Sequence, residues 1–304
     1  MKWKAHMAGI GFATIFGCSF LASKIALQYL TPMGLLSFRF LIAFFLFEIL
    51  RLTHCIQVRF TKQSLSLVWW IVLFQPILYF VFETYGLHYS SSSEAGMMIA
   101  MIPVVVALLS SIILKERPTL FQLFCIILSI SGIVLIEIMT HEQTSHQSLG
   151  FILLLGAVIA ASFYNIFSRK ASIKLSPMEI TYYMMAGGAL VFNGIYMTQR
   201  LVSGSAHFYF DGLFHWQPLL ALLYLGIASS VVAFFLVNYS LSKLTAPISS
   251  LYSNLSTVIA IIAGVVFLKE DLTLYHYIGS AMIILGVYLC VSVKFPNKNA
   301  TLLK

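Results

Sequence analysis

Four ionisable residues, Lys24, Arg39, Glu83 and Glu94, stand within or at the edges of otherwise apolar runs of this sequence. An ionisable group at membrane depth is costly unless it is paired or wetted, so each is a candidate for binding or coupling. Two cations and two carboxylates permit a chemistry that needs no covalent step. If Glu83 or Glu94 pairs with Arg39 or Lys24 in one state and loses that partner in another, its proton affinity changes with the state. The competing reading is a static ion-pair network that closes a vestibule or stabilises the bundle. Glu116 and Glu270, beside Lys115 and Lys269, end two further apolar runs. They are either gate contacts at two mouths or solvated helix ends.

Aromatic and amide side chains offer the walls of a pocket. Tyr79, Phe82 and Tyr85 follow helical spacing and, with Tyr164, Tyr182, Tyr183 and Tyr252, would line an amphipathic cavity. At 14% aromatic content, however, many such rings must simply pack or face lipid. Asn165, Asn238, Asn254, Ser253 and Thr257 are stronger candidates, because a polar group in hydrocarbon wants a partner or water.

Other chemistries find no support. No phosphate-binding loop of the Walker type occurs, which argues against ATP-driven work by this chain. No His/Glu pair has metal-ligand spacing on a helix, and His141 and His146 fall in a polar loop, so neither a metal nor a cofactor is expected. Cys18, Cys55, Cys125 and Cys290 are scattered and read as small apolar residues. The net charge of +8 does not imply nucleic acid, because the basic residues lie between apolar runs instead of gathering on a soluble face. The Asn299-Ala300-Thr301 sequon falls on a tail expected to be cytoplasmic, out of reach of glycosylation.

The elements that must position these residues follow from composition. With 60% hydrophobic and 9% charged residues, the 304-residue chain is no ordinary soluble domain. Apolar segments of spanning length run at about 5–28, 33–50, 66–86, 92–114, 120–138, 148–168, 178–200, 217–240, 244–268 and 275–293. They are too long and too continuously apolar for barrel strands, so they must be helices that pair their own backbone groups. The first follows a basic start without a cleavage site and is read as a retained span. Pro32, Pro177 and Pro218 suit first helical turns, whereas Pro76 and Pro103 are expected to kink helices from within. Under this assignment one face collects fourteen Lys and Arg residues and the other only Arg200 and Lys269, which predicts cytoplasmic termini.

The chain also repeats itself. Leu114-Lys115-Glu116 recurs as Leu268-Lys269-Glu270, and Tyr85, Leu87 and Gly132 recur as Tyr239, Leu241 and Gly286, a displacement of 154 positions (115 to 269). Lys24 matches Arg169 and Pro32 matches Pro177 at a displacement of 145 (24 to 169). Five spans per unit is odd, so the second copy enters the membrane inverted. The expected organisation is a first repeat over 1–139, an external linker over 140–147, a second inverted repeat over 148–294 and a cytoplasmic tail over 295–304. The fold class is an all-α membrane protein with ten transmembrane helices as two inverted five-helix repeats. At the positions matching Arg39, Glu83 and Glu94 the second repeat has Met184, Val237 and Ile248, so this charge is not a requirement of the fold.

Phe16-Gly17-Cys18-Ser19-Phe20 with Lys24, Pro32 through Ser37-Phe38-Arg39, and Ser90 through Ala95 leading to Pro103 and Leu114-Lys115-Glu116, set in this doubled frame, resemble the EamA-type branch of the drug/metabolite transporter superfamily. Phe16-Gly17 stands where many members carry Trp-Gly. The resemblance implies a central cavity lined by helices 1 to 4 and 6 to 9, with helices 5 and 10 peripheral and available for dimer contacts. It implies export of small metabolites, amino acids or amphiphilic compounds by alternating access. The partners expected are a small-molecule substrate and membrane lipid, with no nucleic acid; proton coupling and a homodimer remain open. An uncoupled facilitator is the nearer alternative, and a membrane-embedded enzyme or receptor the more distant one.

Overall fold

The computed structural model describes residues 2–58, 62–89, 98–116, 118–140, 147–203, 215–263 and 273–292. Among them are ten helical rods. The first five are α1 (Lys2–Leu27), α2 (Pro32–Leu52), α3 (Lys62–Val72, Leu73–Leu78 and Tyr79–Tyr89 in continuation), α4 (Ile102–Leu109 and Ser110–Leu114) and α5 (Leu120–Thr140). The second five are α6 (Gln147–Ala171), α7 (Pro177–Val202), α8 (Trp216–Leu223, Tyr224–Ala233 and Phe234–Lys243), α9 (Ala246–Leu251 and Ser253–Ala263) and α10 (Leu274–Ser292). Ten crossings bring Lys2 and Ser292 to one face, here the terminal face; the other is the distal face.

Equivalent residues start equivalent rods. The Thr31 hydroxyl accepts from the Gly34 amide at 3.2 Å with Pro32 in the first turn of α2. At α7, Ser176 and Glu179 form a reciprocal capping box around Pro177. Both serve donors that a helix start leaves unpaired. Pro76 breaks α3, as the sequence predicts: Gln75 leaves the helical region (φ −150°, ψ 115°) inside a wider π-helical stretch. Its counterpart α8 carries a π-helical stretch of its own, Tyr224–Ala233. Pro103 does not kink a helix from within. A turn at Ala100 and Met101 precedes α4, so Pro103 sits in a first turn that lacks nothing by losing a donor.

The packing obeys the internal two-fold. If α1 corresponds to α6, α2 to α7 and so on, then α3 against α6 should be mirrored by α8 against α1, and α4 against α6 by α9 against α1. All four contacts are present, as are the self-paired contacts α2–α7, α4–α9 and α5–α10. The α5–α10 seam shows the symmetry at atomic detail. A Cβ placed on Gly132 would approach the Gly279 carbonyl oxygen to 2.5 Å, and one on Gly286 would approach that of Cys125 to 2.7 Å. Displacement by 154 turns the first contact into the second, so these glycines serve contact within the chain. The helix 1 glycines do likewise, Gly9 against Tyr252 and Gly17 against Ile259.

Candidate functional site

A cavity lies between the two halves of the bundle. Its wall comes from α1, α2, α3, α6, α8 and α9, with Ile99 and Ile102 at the start of α4. The frame is two-fold: Phe16 and Ala161, Phe20 and Asn165, Phe80 and Phe234, and Ile102 and Ser256 are equivalent pairs that all line it. The chemistry is not two-fold. Glu83 faces the cavity where its equivalent is Val237, and Arg39 reaches it from α2 where α7 has Met184. No described residue of α7 lines the cavity, a correction to the expected wall. Met184 is wholly buried, with its sulfur against the Asn238 amide, whereas the longer Arg39 side chain extends inward.

Arg39 is 3% exposed and held by neutral groups. Its Nε donates to the Ser230 hydroxyl and its Nη2 to the Ser229 hydroxyl, each at 2.8 Å. The guanidinium carbon lies 4.4 Å from the Phe80 ring centre, within cation–π range. Gln75, Tyr79 and Glu83 stand four residues apart down α3 and all face the cavity. Glu83 is 7% exposed and accepts from the Thr84 hydroxyl at 3.2 Å. Arg39 and Glu83 are within electrostatic range of each other but form no ion pair at 4.0 Å or less.

The other sequence candidates divide clearly. Tyr79, Tyr164 and Asn165 line the cavity with Arg39 and Glu83, as does Ser253. Lys24 does not: it is exposed near the end of α1, one turn beyond Phe20. Asn238 is away from the wall and ties three rods together. It accepts from Tyr164 at 3.0 Å and Ser168 at 2.6 Å, and donates to Thr181 at 2.9 Å. Tyr252 is buried against His6, its hydroxyl 2.7 Å from the ring Nδ1. Asn254 donates to Ser129 at 3.0 Å, while its Oδ1 is buried without a hydrogen bond. Tyr182 donates to Glu48 near the terminal face, and Tyr183 is buried off the cavity wall. Glu94 and Glu270 lie outside the described residues. Sequence reasoning did not single out Ser229 and Ser230; their one signal was a polar pair within an apolar run.

Glu116 connects rods at the terminal face. Lys115 adopts a left-handed conformation (φ 57°) at the end of α4, which turns the chain so that Glu116 follows outside the helix. Arg169 at the end of α6 donates from Nε to Glu116 Oε1 at 2.9 Å, and the Ala246 amide at the start of α9 donates to Oε2 at 3.0 Å. Arg169 Nη1 also donates to the Leu241 carbonyl oxygen of α8 at 3.0 Å. The carboxylate thus joins the first repeat to α6 and α9 of the second, and Arg169 extends the cluster to α8.

Comparison with known proteins agrees with this architecture. The sequence model of the EamA-like transporter family matches residues 3–138 and 148–292. The uncharacterized transporter YcxC of Bacillus subtilis (strain 168) is 37% identical over 284 residues, covering 93% of this chain and 91% of the relative. An uncharacterized transporter of Archaeoglobus fulgidus is 28% identical over 279 residues, covering 91% and 95%. A solved crystal structure superposes with a TM-score of 0.76 at 17% identity, covering 95% of this chain and 99% of the other, which bears on the fold alone. With both halves of the sequence matched and the halves built as inverted five-helix units around a common cavity, the chain belongs to the EamA-like transporter family.

Proposed function

We propose that the protein is a secondary transporter that exports a small metabolite, an amino acid or an amphiphilic compound, across the cell membrane by alternating access. The carrying observation is the central cavity, walled by both repeats and, among the described residues, charged on one repeat only. The Glu116 cluster supports a state closed on the terminal face, and the bias of Lys and Arg supports a cytoplasmic location for that face. In this reading substrate enters when the Glu116 contacts part, and leaves from the distal side once they re-form.

The substrate's own gradient or a proton gradient drives the cycle. Glu83 is the coupling carboxylate in the proton-driven form, with Arg39, Tyr79 and Thr84 as the charged and polar groups facing it. Approach of Arg39 favours ionised Glu83; withdrawal into an apolar surround favours its protonated form. The test is transport of labelled metabolites in proteoliposomes with and without an imposed pH gradient. Movement of no solute would end the transporter reading, and transport indifferent to pH would leave the uncoupled facilitator.

A further inference from the structure

We propose that α2 and α7 stay joined at both faces in both access states, so that their seam is a fixed spine of the transport cycle and opening falls to other rods. The proposal deepens the transport reading and rests on it.

The seam is tied by one side-chain bond and by the image of that bond under the internal two-fold. Toward the distal face the Ser37 hydroxyl of α2 donates to Asn193 Oδ1 of α7 at 2.6 Å, and Asn193 Nδ2 donates back to the Ser37 carbonyl oxygen at 3.2 Å. Toward the terminal face the Tyr182 hydroxyl of α7 donates to Glu48 Oε1 of α2. Displacement by 145 positions carries Ser37 to Tyr182 and Glu48 to Asn193. Hydroxyl donor and side-chain oxygen acceptor therefore keep their roles while the repeats trade places. Arg51 holds the other Glu48 oxygen, from Nε at 3.0 Å and Nη2 at 2.6 Å. Between the two ties the Phe40 and Phe192 rings pack with centres 5.2 Å apart, and a Cβ on Gly188 would come within 2.5 Å of the Phe40 ring. Ser37, Phe40 and Phe192 are wholly buried.

The two repeats share one fold in opposite orientations, so exchanging their conformations turns a state open to one face into a state open to the other. Under that exchange every contact between the repeats is carried to its image at the opposite face. A contact made at one face alone must break and re-form across the membrane. One made at both faces at once maps onto itself and survives, and the α2–α7 ties are of this kind. Their place in the bundle agrees: among the described residues the cavity wall takes only Arg39 from α2 and nothing from α7, so the seam runs behind the path. Parting it would strip hydrogen bonds from polar groups at membrane depth.

The experiment uses the full-length protein in a cysteine-free background. Ser37→Cys with Asn193→Cys is closed to a disulfide by copper phenanthroline, and Glu48→Cys with Tyr182→Cys is bridged by a short bismaleimide. Proteoliposomes are loaded with the soluble small-molecule extract of expressing cells, and the loss of each solute is followed by mass spectrometry. Each cross-linked protein should pass the same solutes at the same rate as its own uncross-linked form. Flux that stops only on cross-linking would overturn the spine and leave the transport reading standing; no flux from the unmodified protein would end the transport reading itself. Spin labels at Leu52 and Lys174, exposed beside the terminal end of the seam, cover the case in which a cysteine pair disturbs folding. Their distance distribution by pulsed electron resonance should hold one peak, the same in the parent and in E116Q, which lacks the ion pair with Arg169. A second peak would overturn the spine.

Discussion

Replacing Glu116 by Gln should open the terminal face. The carboxylate is 12% exposed and Arg169 18%, so the contact is shielded well enough to matter, unlike an ion pair in open water. Glu116 accepts from Arg169 Nε through one oxygen and from the Ala246 amide through the other. Gln keeps the length and one acceptor but removes the charge and one charge-assisted bond, a loss of about 2 kcal/mol in the state that makes these contacts. If only the closed state has them, the open-to-closed ratio rises by roughly 30-fold. Ser249 of α9 lines the cavity on the terminal-face side and is 1% exposed. In a cysteine-free background, a Ser249→Cys reporter in vesicles presenting the terminal face should react with an impermeant maleimide about tenfold faster or more when Glu116→Gln is added. Arg169→Gln should produce the same increase. Wild-type reaction rates in both variants, with melting temperatures unchanged, would refute the reasoning.

Other expectations bear on the cavity and the frame. Glu83→Gln should flatten the pH dependence of vesicle transport if this group carries the coupling; an unchanged profile removes it from that role. Gly286→Ala should lower the melting temperature in detergent, since the added methyl meets the Cys125 carbonyl oxygen at 2.7 Å and Ser129 Cβ at 3.1 Å, an overpacking cost of about 1–3 kcal/mol. An unshifted melt would show that α5 and α10 part easily. Asn238→Ala should cost about 2–4 kcal/mol, because Tyr164, Ser168 and Thr181 each lose a buried partner. A melting temperature within a degree of wild type would contradict its role as a tie between rods.

The rods and their inversion are legible in the sequence because hydrocarbon permits few alternatives: apolar length marks each rod and paired motifs mark the repeat. The position of Pro103 was not legible, since the apolar run continues across the turn at Ala100 and Met101 and hydropathy is blind to backbone direction. Arg39 and Glu83 stand out because charge in lipid is conspicuous. Lys24 looks the same by type but sits a turn too close to the rod's end to reach the cavity. Asn238 and Asn254 satisfy the rule that buried amides seek partners, yet the rule does not say whether the partner is protein or substrate, and here Ser, Thr and Tyr side chains supplied it. Ser229 and Ser230 carry no charge and resemble ordinary packing serines until their contact with Arg39 is seen.

The reciprocal glycine contacts of α5 and α10 have the form of an isologous interface, the kind two identical subunits make across a dyad. Here the two subunits are halves of one polypeptide, so their association is insensitive to dilution, the local concentration of each half being set by the tether between them. Severing the chain between 140 and 147 should therefore yield two pieces that still find each other when co-expressed, now with a stability that depends on expression level. Recovery of only the separate pieces by affinity capture would show that the tether, and not the shared dyad, holds the halves together.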